Sequence, residues 1–199
     1  MPIRAGIIGY LNTLPIHHGL ALPPGLAVDW TQAPPSALNR AVAEGRLDWS
    51  PVSSAFYLRH ALVIGDEALL LAERGVPEGV HVVDFDEGVH VVDLATLWAQ
   101  ATGGMPFVFA VWVARKAWFE THRDEAEALM AACRANRDAN LGDPARFAAL
   151  LAHAHAVAPS LGPSTLERYF ARCLSYRLDA PHREALARFA GVLEPTTIP

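Results

Sequence analysis

Cysteine is almost missing: Cys133 and Cys173 are the two in 199 residues. Both lie in helical patterns without CxxC or Cys/His ligand spacing, so a disulfide scaffold and a structural zinc are not expected, and no metal is assigned. Charge is also scarce, at 19% of residues, and leans acidic, with 16 Lys+Arg against 21 Asp+Glu and a net charge of −5. The basic residues are scattered singly and leave no footprint for tracking a phosphate backbone, so nucleic acid is not an expected partner. No Ser-His-Asp or Cys-His set, Walker loop or GxGxxG is present. The start lacks a secretory core, because Asn12, Pro15, His17 and His18 interrupt the apolar Ile7-Ile8. With reducing conditions implied by the cysteines, the expected location is cytoplasmic.

What is present is apolar: 52% hydrophobic residues and a mean hydropathy of +0.18 exclude a disordered tail and suffice for one good core or two small ones. Leu94 to Ala114 contains no charge and approaches the roughly 20 residues of a membrane span. Gln100, Thr102, Gly103-Gly104 and Pro106 break it, so a helix end, a turn and a buried strand over Phe107 to Val113 is the favoured reading, with no membrane partner.

Apolar runs alternate with helical patterns over the first sixty residues, the form of consecutive βα units. The expected strands are Ile3 to Tyr10, Leu26 to Thr31 and Leu47 to Val52. The expected helices are Thr13 to Leu20, with Pro15 in its first turn, Pro35 to Glu44, and one starting at Ser54 to Arg59. Leu62 to Gly65 reads as a strand end and Asp66 to Glu73 as a helix. Glu78-Gly79-Val80-His81-Val82-Val83-Asp84 then recurs unchanged as Glu87 to Asp93, a local duplication too short for a solenoid. The remainder reads as helical: Lys116 to Asn136, a helix capped by Asp143-Pro144, one opened by a capping box at Ser164 to Glu167 and carrying Leu166, Phe170, Cys173 and Leu174, and Pro181 to Leu193.

In an open parallel sheet, ligands bind beyond the carboxyl ends of the strands. Two junctions stand out, Gly9-Tyr10-Leu11-Asn12-Thr13-Leu14-Pro15 and Ser50-Pro51-Val52-Ser53-Ser54. Each brings amide or hydroxyl groups and helix N-terminal N–H groups to one sheet edge, which suits a carboxylate or phosphate. The same residues serve equally as ordinary helix caps, the more probable use on position alone. Ile64-Gly65-Asp66-Glu67 is a third junction, with Asp66 either a hydroxyl acceptor or a cap. The pairs His17-His18 and His153-His155 lack the i, i+4 spacing that turns two rings toward one ion. Trp98, Phe107, Phe109 and Trp112 line an aromatic pocket or pack a core, the core being favoured.

At these residues the sequence resembles the chorismate dehydratase family of the futalosine route to menaquinone, a branch of the type II periplasmic-binding-protein-like folds. The resemblance rests on the two junctions, on Leu47-Asp48-Trp49, on Ile64 to Leu69, and above all on Thr102-Gly103-Gly104-Met105-Pro106-Phe107-Val108-Phe109-Ala110-Val111-Trp112. It implies an α/β lobe with a mainly parallel sheet flanked by helices and C-terminal helices packed on it. Between His60 and Ala61 most of the family's second lobe is absent, roughly two βαβ units. The division that follows is 1–60 as the first part of lobe 1, 61–104 as a reduced remnant of lobe 2 with the duplicated segment, and 105–199 as the return strand and C-terminal helices.

The implied activity is elimination of water from chorismate, a small dicarboxylate, to give 3-[(1-carboxyvinyl)oxy]benzoate without a cofactor. Asn12 matches the catalytic position. Tyr10, Thr13, Ser53, Ser54, Asp66, Phe109 and Trp112 are the expected substrate contacts. A natural loss, a rearrangement or an engineered deletion each explain the short form, in which activity is expected to be low or lost. The alternatives are a non-catalytic carboxylate-binding module and an engineered single-lobe scaffold, as monomer or homodimer.

Overall fold

The computed structural model describes residues 1–60, 62–63, 69–73 and 93–193. Its strands are β1 Ile3–Ile7, β2 Val28–Gln32, β3 Trp49–Ser53, β4 Leu62–Val63, β5 Leu69–Glu73, β6 Phe107–Arg115 and β7 Leu174–Arg177. The helices are α1 Leu14–His17, α2 Pro35–Ala43, α3 Ser54–Arg59, α4 Leu94–Thr102, α5 Lys116–Phe119, α6 Arg123–Gly142, α7 Pro144–Val157, α8 Pro163–Arg168 and α9 Ala180–Leu193. The strands form one sheet in the order β2-β1-β3-β6-β5-β7, with β4 also against β6.

The α/β class is as expected, but the sheet is mixed rather than mainly parallel. β1 runs parallel to β2 and β3, whereas β6 is antiparallel to β3, β4 and β5, and β5 to β7. The reversal follows from where the chain re-enters. Helix α4 ends in the left-handed Gly103 (φ 73°) and packs Trp98 on Phe107, so β6 starts at the edge where β3 finishes and must run back along it. The uncharged run is thus helix, turn and strand, and no helix among the described residues is long and apolar enough to cross a membrane.

The two faces carry separate cores. Ile3, Ala5, Trp49, Trp112 and Ala114 pack with Ile16, Leu129, Cys133 and Tyr176 under α1 and α6. Val52, Val111 and Val113 pack with Leu38, Val42 and Leu186 under α2 and α9. A bulge in β6 joins this pattern to the edge: Leu71 pairs with Ala110 but Ala72 with Val108, leaving Phe109 as the extra residue.

Four local expectations need correction. Residues 69–73 are strand, not the end of a helix, because β6 and β7 both need a hydrogen-bonding neighbour and tertiary pairing overrides the helix-forming Leu-Leu-Leu-Ala-Glu. The helix from Lys116 breaks at Thr121-His122, where His122 leaves helical angles (φ −134°) and its N–H closes α5 on Trp118; α6 then continues past Asn136 to Gly142. No capping box forms at Ser164, since α8 starts at Pro163 after Gly162 with no side-chain cap. Its stripe ends in a π-helical turn, Tyr169–Cys173, and Leu174 opens a strand. Asp143 does cap α7, accepting from the Arg146 N–H at 2.9 Å. The duplicated EGVHVVD segment, His81 and His90 among it, lies outside the described residues apart from Asp93, which caps α4.

The amino-terminal edge of the sheet is clasped by Asp48, 4% exposed. Its carboxylate accepts from Arg4 Nε (2.8 Å), Arg4 Nη2 (2.6 Å) and Arg115 Nη2 (2.7 Å). Arg115 Nε also donates to Leu47 O at 2.9 Å. Burial opposes the charge, but the hydrogen bonds from Arg4 and Arg115 outweigh it and hold the carboxyl below its usual range. A depressed carboxylate stabilises the fold above its unfolded pKa and loses that contribution as pH falls through the folded value. Asp48→Asn is therefore expected to cost about 3 kcal/mol at pH 7 and to flatten the acid limb of stability below the ordinary carboxylate range. Urea melts between pH 2 and pH 7 measure both, and an unchanged acid limb would refute the assignment.

Candidate active site at the carboxyl edge

The loop after β1 is built on close contacts. A Cβ at Gly9 would lie 2.3 Å from Gln32 Nε2, so the glycine lets the β2 side chain lie against the loop. Thr13 is buried, and its hydroxyl donates to Ile8 O at 2.6 Å, with Tyr10 O at 2.9 Å as a second acceptor. This ties a single 3-10 turn, Leu11–Thr13, to the strand end before Pro15 starts α1. Thr13 is thereby a brace. Tyr10 is half-exposed beside it, at 52%.

Asn12 sits in that turn. Its backbone oxygen accepts from the Tyr176 hydroxyl at 2.8 Å, while its side-chain Oδ1 is buried with no partner among the described residues. An unpartnered buried amide oxygen is costly, which makes Asn12 a candidate for contact with a hydrogen-bonding ligand. The turn is also held from behind. Asn136 Nδ2 donates to Ile16 O and His18 O (2.9 and 3.0 Å), and Asn140 Nδ2 to Pro15 O and His18 O (2.9 and 2.8 Å). Arg146 fixes both amides, through Nη2 to Asn136 Oδ1 at 2.6 Å and Nε to Asn140 Oδ1 at 3.0 Å. Sequence reading passed over this brace, although two asparagines at i, i+4 in an alanine-rich helix signal a polar purpose on an otherwise apolar face.

The second junction reaches the same edge, because β1 and β3 are parallel. Ser53 is a cap: its Oγ accepts from Phe56 N (3.2 Å) and from Asn39 Nδ2 (3.1 Å), while its own N–H donates to Asn39 Oδ1 (3.2 Å). Ser54 follows as the first residue of α3, 3% exposed. Phe109 lies at this edge too, since Ala110 pairs with Ser53, and it meets Phe107 edge-on at 4.7 Å. The expected aromatic group of four is divided. Trp98, Phe107 and Phe109 belong to the edge with Phe189. Trp112 is fully buried on the α1/α6 face, 6.5 Å from the ring of His17, because strand alternation turns it there with Ala110 and Ala114. Asp66 lies outside the described residues.

The histidines pair differently from their order in sequence. His18 approaches His153, with ring centroids 4.8 Å apart. His17 is packed edge-on against Trp30 at 5.4 Å. Among the described residues, no three His, Cys, Asp or Glu side chains converge on a metal position.

Comparison with known proteins fits this geometry. The family described as menaquinone biosynthesis matches residues 3–61 and 59–195. The chain belongs to that family. A chorismate dehydratase from Thermus thermophilus is 28% identical over 277 aligned positions, covering 96% of this chain and 95% of that protein. The alignment is longer than the 199-residue chain, so a stretch of the relative has no counterpart here. Among solved structures, a protein from Archaeoglobus fulgidus superposes with a TM-score of 0.59 at 10% identity, covering 96% of both chains. The periplasmic aliphatic sulphonate binding protein of Escherichia coli gives 0.59 at 11% identity, covering 96% of this chain and 86% of that one. These likenesses show a periplasmic-binding-protein-like fold, as the family resemblance implied.

Two outcomes follow from the environment of the loop. Asn140→Leu leaves the Pro15 and His18 carbonyls and Arg146 short of a partner, and is expected to destabilise by about 2 kcal/mol in denaturant melts; no change would remove the brace. Burial pushes His17 down to about 4, so between the ordinary histidine value and pH 4 the unfolded chain binds a proton that the folded one does not. Stability should fall with acidification across that window by about 3 kcal/mol. His17→Phe should remove most of this slope and leave the smaller part due to His18, whose value burial also lowers; a slope unchanged in the variant would contradict it.

Proposed function

We propose that the chain is a chorismate dehydratase-like hydro-lyase of menaquinone biosynthesis, acting in the cytoplasm on chorismate to give 3-[(1-carboxyvinyl)oxy]benzoate. The observation that carries the reading is the alignment of the Thermus thermophilus chorismate dehydratase along nearly the whole of both chains. In this reaction a ring C–H bond and the ring C–OH bond break, water leaves, and the ring becomes aromatic. The gain in aromaticity drives it, so the protein has to orient the dicarboxylate and bring a base near the ring proton.

Asn12 is the residue we assign to orientation. An amide is no base at neutral pH, and its unpartnered Oδ1 suits a donor on the substrate. A carboxylate of the substrate itself takes the proton. Tyr10 and Phe109, at the same edge, are assigned to the ring. Ser53 and Ser54 are assigned to a carboxylate, Ser53 donating the hydroxyl hydrogen that its cap, made through the oxygen as acceptor, does not use. Asp66 is assigned to the ring hydroxyl, the one O–H donor of the substrate dianion, as an alternative acceptor to Asn12 Oδ1.

Residues 1–60 and 105–199 make the first lobe in this reading, and 61–104 the remnant of a second. The two matched stretches meeting at 59–61 support it. With one wall of the binding cleft reduced, water is less well excluded and turnover is expected to be well below that of two-lobed relatives. A binding module that leaves its ligand unchanged is the second reading, favoured by the likeness to a sulphonate-binding protein.

Incubation with chorismate, followed by chromatography with absorbance detection, separates the two. Formation of the aromatic product, reduced at least about 100-fold in Asn12→Ala, is the expected result. A folded protein that binds chorismate without product would leave the binding module. Retained activity in Asn12→Asp would sink the orienting role.

A further inference from the structure

We propose that Asn39, on α2, is a positioning residue for substrate binding, fixing the Ser53 hydroxyl as a pure hydrogen-bond donor toward a substrate carboxylate. The proposal rests on the assignment of Ser53 to that carboxylate. Asn39 is out of place as a helix residue. It lies inside the nine-residue α2, between the fully buried Leu38 and the exposed Arg40, and asparagine is a poor former of helix interiors. Its side chain leaves its own helix and holds the end of β3 instead. The orientation of the amide is forced. The Ser53 N–H can only donate, so the atom 3.2 Å from it is the carbonyl Oδ1, and the atom 3.1 Å from Ser53 Oγ is the donor Nδ2.

A serine that caps a helix needs only one acceptor lone pair to do so. Ser53 uses one on the Phe56 N–H at 3.2 Å and the other on Asn39 Nδ2. Both lone pairs of the hydroxyl oxygen are thus filled by groups that cannot accept, and its hydrogen is left the one tetrahedral direction that remains. Ser50, on the same strand, shows the contrast: its hydroxyl is fully buried and donates to Pro51 O at 2.9 Å. Among the described residues, no acceptor takes the Ser53 hydrogen. A carboxylate, which only accepts, complements a hydroxyl that can only donate, and the charge strengthens the bond. Without Asn39 the same hydroxyl is free to turn and present a lone pair, which a carboxylate cannot use.

The test is calorimetric titration of the whole chain with 3-[(1-carboxyvinyl)oxy]benzoate, which carries both carboxylates of chorismate and no hydroxyl left to eliminate, beside steady-state turnover of chorismate. Asn39→Ala is expected to weaken binding about tenfold, and to raise KM while kcat stays within about twofold. Ser53→Ala should weaken binding by at least as much. In that background Asn39→Ala should add less than about twofold, because two residues acting through one hydroxyl are not additive. If Asn39→Ala does not fold, Asn39→Asp keeps the bond to the Ser53 N–H and draws the hydroxyl hydrogen inward. Its expected loss is at least about tenfold, most of it gone in the Ser53→Ala background. Where the chain binds without turnover, the titration decides alone. The proposal is overturned if the Asn39 variant or Ser53→Ala binds like the wild type, if the Asn39 loss persists in full beside Ser53→Ala, or if kcat falls with KM unchanged. A wild-type chain that binds no dicarboxylate overturns it together with the reading it rests on, and is told apart because the substitutions then have no affinity to change.

Discussion

The fold depends on one buried carboxylate. Asp48 stands at the start of β3, between a parallel neighbour and an antiparallel one, and Arg4 from β1 and Arg115 from β6 both close on it. Backbone bonds seal the same point, with Asp48 N donating to Arg4 O (2.8 Å) and Arg115 N to Asp48 O (2.9 Å). A mixed sheet has two hydrogen-bond geometries to reconcile at its seam, and a slip of one residue would exchange the two cores. The clasp fixes register on both sides at once. Among the described residues, this charge cluster lies at the amino-terminal edge, while the residues singled out at the carboxyl edge, Asn12, Ser53, Ser54 and Phe109, are amide, hydroxyl and ring.

That edge is held in place from beneath. Helix α1 has only four residues, too short to hold itself in water, and its carbonyls are taken by Asn136 and Asn140 of α6. Tyr176 of β7 reaches the Asn12 carbonyl from the far strand of the sheet. The backbone around Asn12 is therefore tied down by three elements while its side-chain oxygen stays without a partner. Rigid main chain with one open side-chain group is what orientation of a substrate requires.

Much of this was legible in the sequence, for identifiable reasons. β1 to β3 with α2 show strong apolar periodicity between plain Pro and Gly punctuation, and the two junctions after β1 and β3 follow from the parallel pairing they imply. Asn12 and Ser53 stand out in the sequence because they sit at those junctions, whereas Phe109 and the role given to Asn12 come from the family resemblance. The direction of β6 was not legible, since a strand has the same composition read either way and only the packing of α4 on Phe107 sets its sense. β5 reads as helix because its Leu and Ala carry no strand signal of their own, and β7 because Leu174 continues the helical stripe of Leu166, Phe170 and Cys173; pairing with neighbouring strands decides them. The bulge at Phe109 leaves no mark in composition, although the odd spacing of Trp112 from Phe107 and Phe109 already places it on the opposite face of a strand. The brace from α6 was hidden for another reason: its acceptors are backbone carbonyls more than a hundred residues away, and only the fold brings them together.

The shortened chain bears on what the proposed chemistry asks of a protein. An elimination that makes a benzene ring, with a base carried on the substrate, needs little electrostatic rescue of its transition state compared with acyl or phosphoryl transfer. Its demand is geometric: the carboxylate must face the ring proton and the hydroxyl must be free to leave. On the lobe division proposed above, the first lobe keeps the means for this, because the Asn12 turn is supported from α6, α7 and β7 as well as from the end of β1, all in the same sheet-and-helix body. A second wall adds exclusion of water and a longer residence time, both of which scale with enclosure. Losing that wall should lower affinity more than it alters the geometry at Asn12. On the proposed mechanism, a single lobe thus keeps the orienting group intact and loses chiefly the grip.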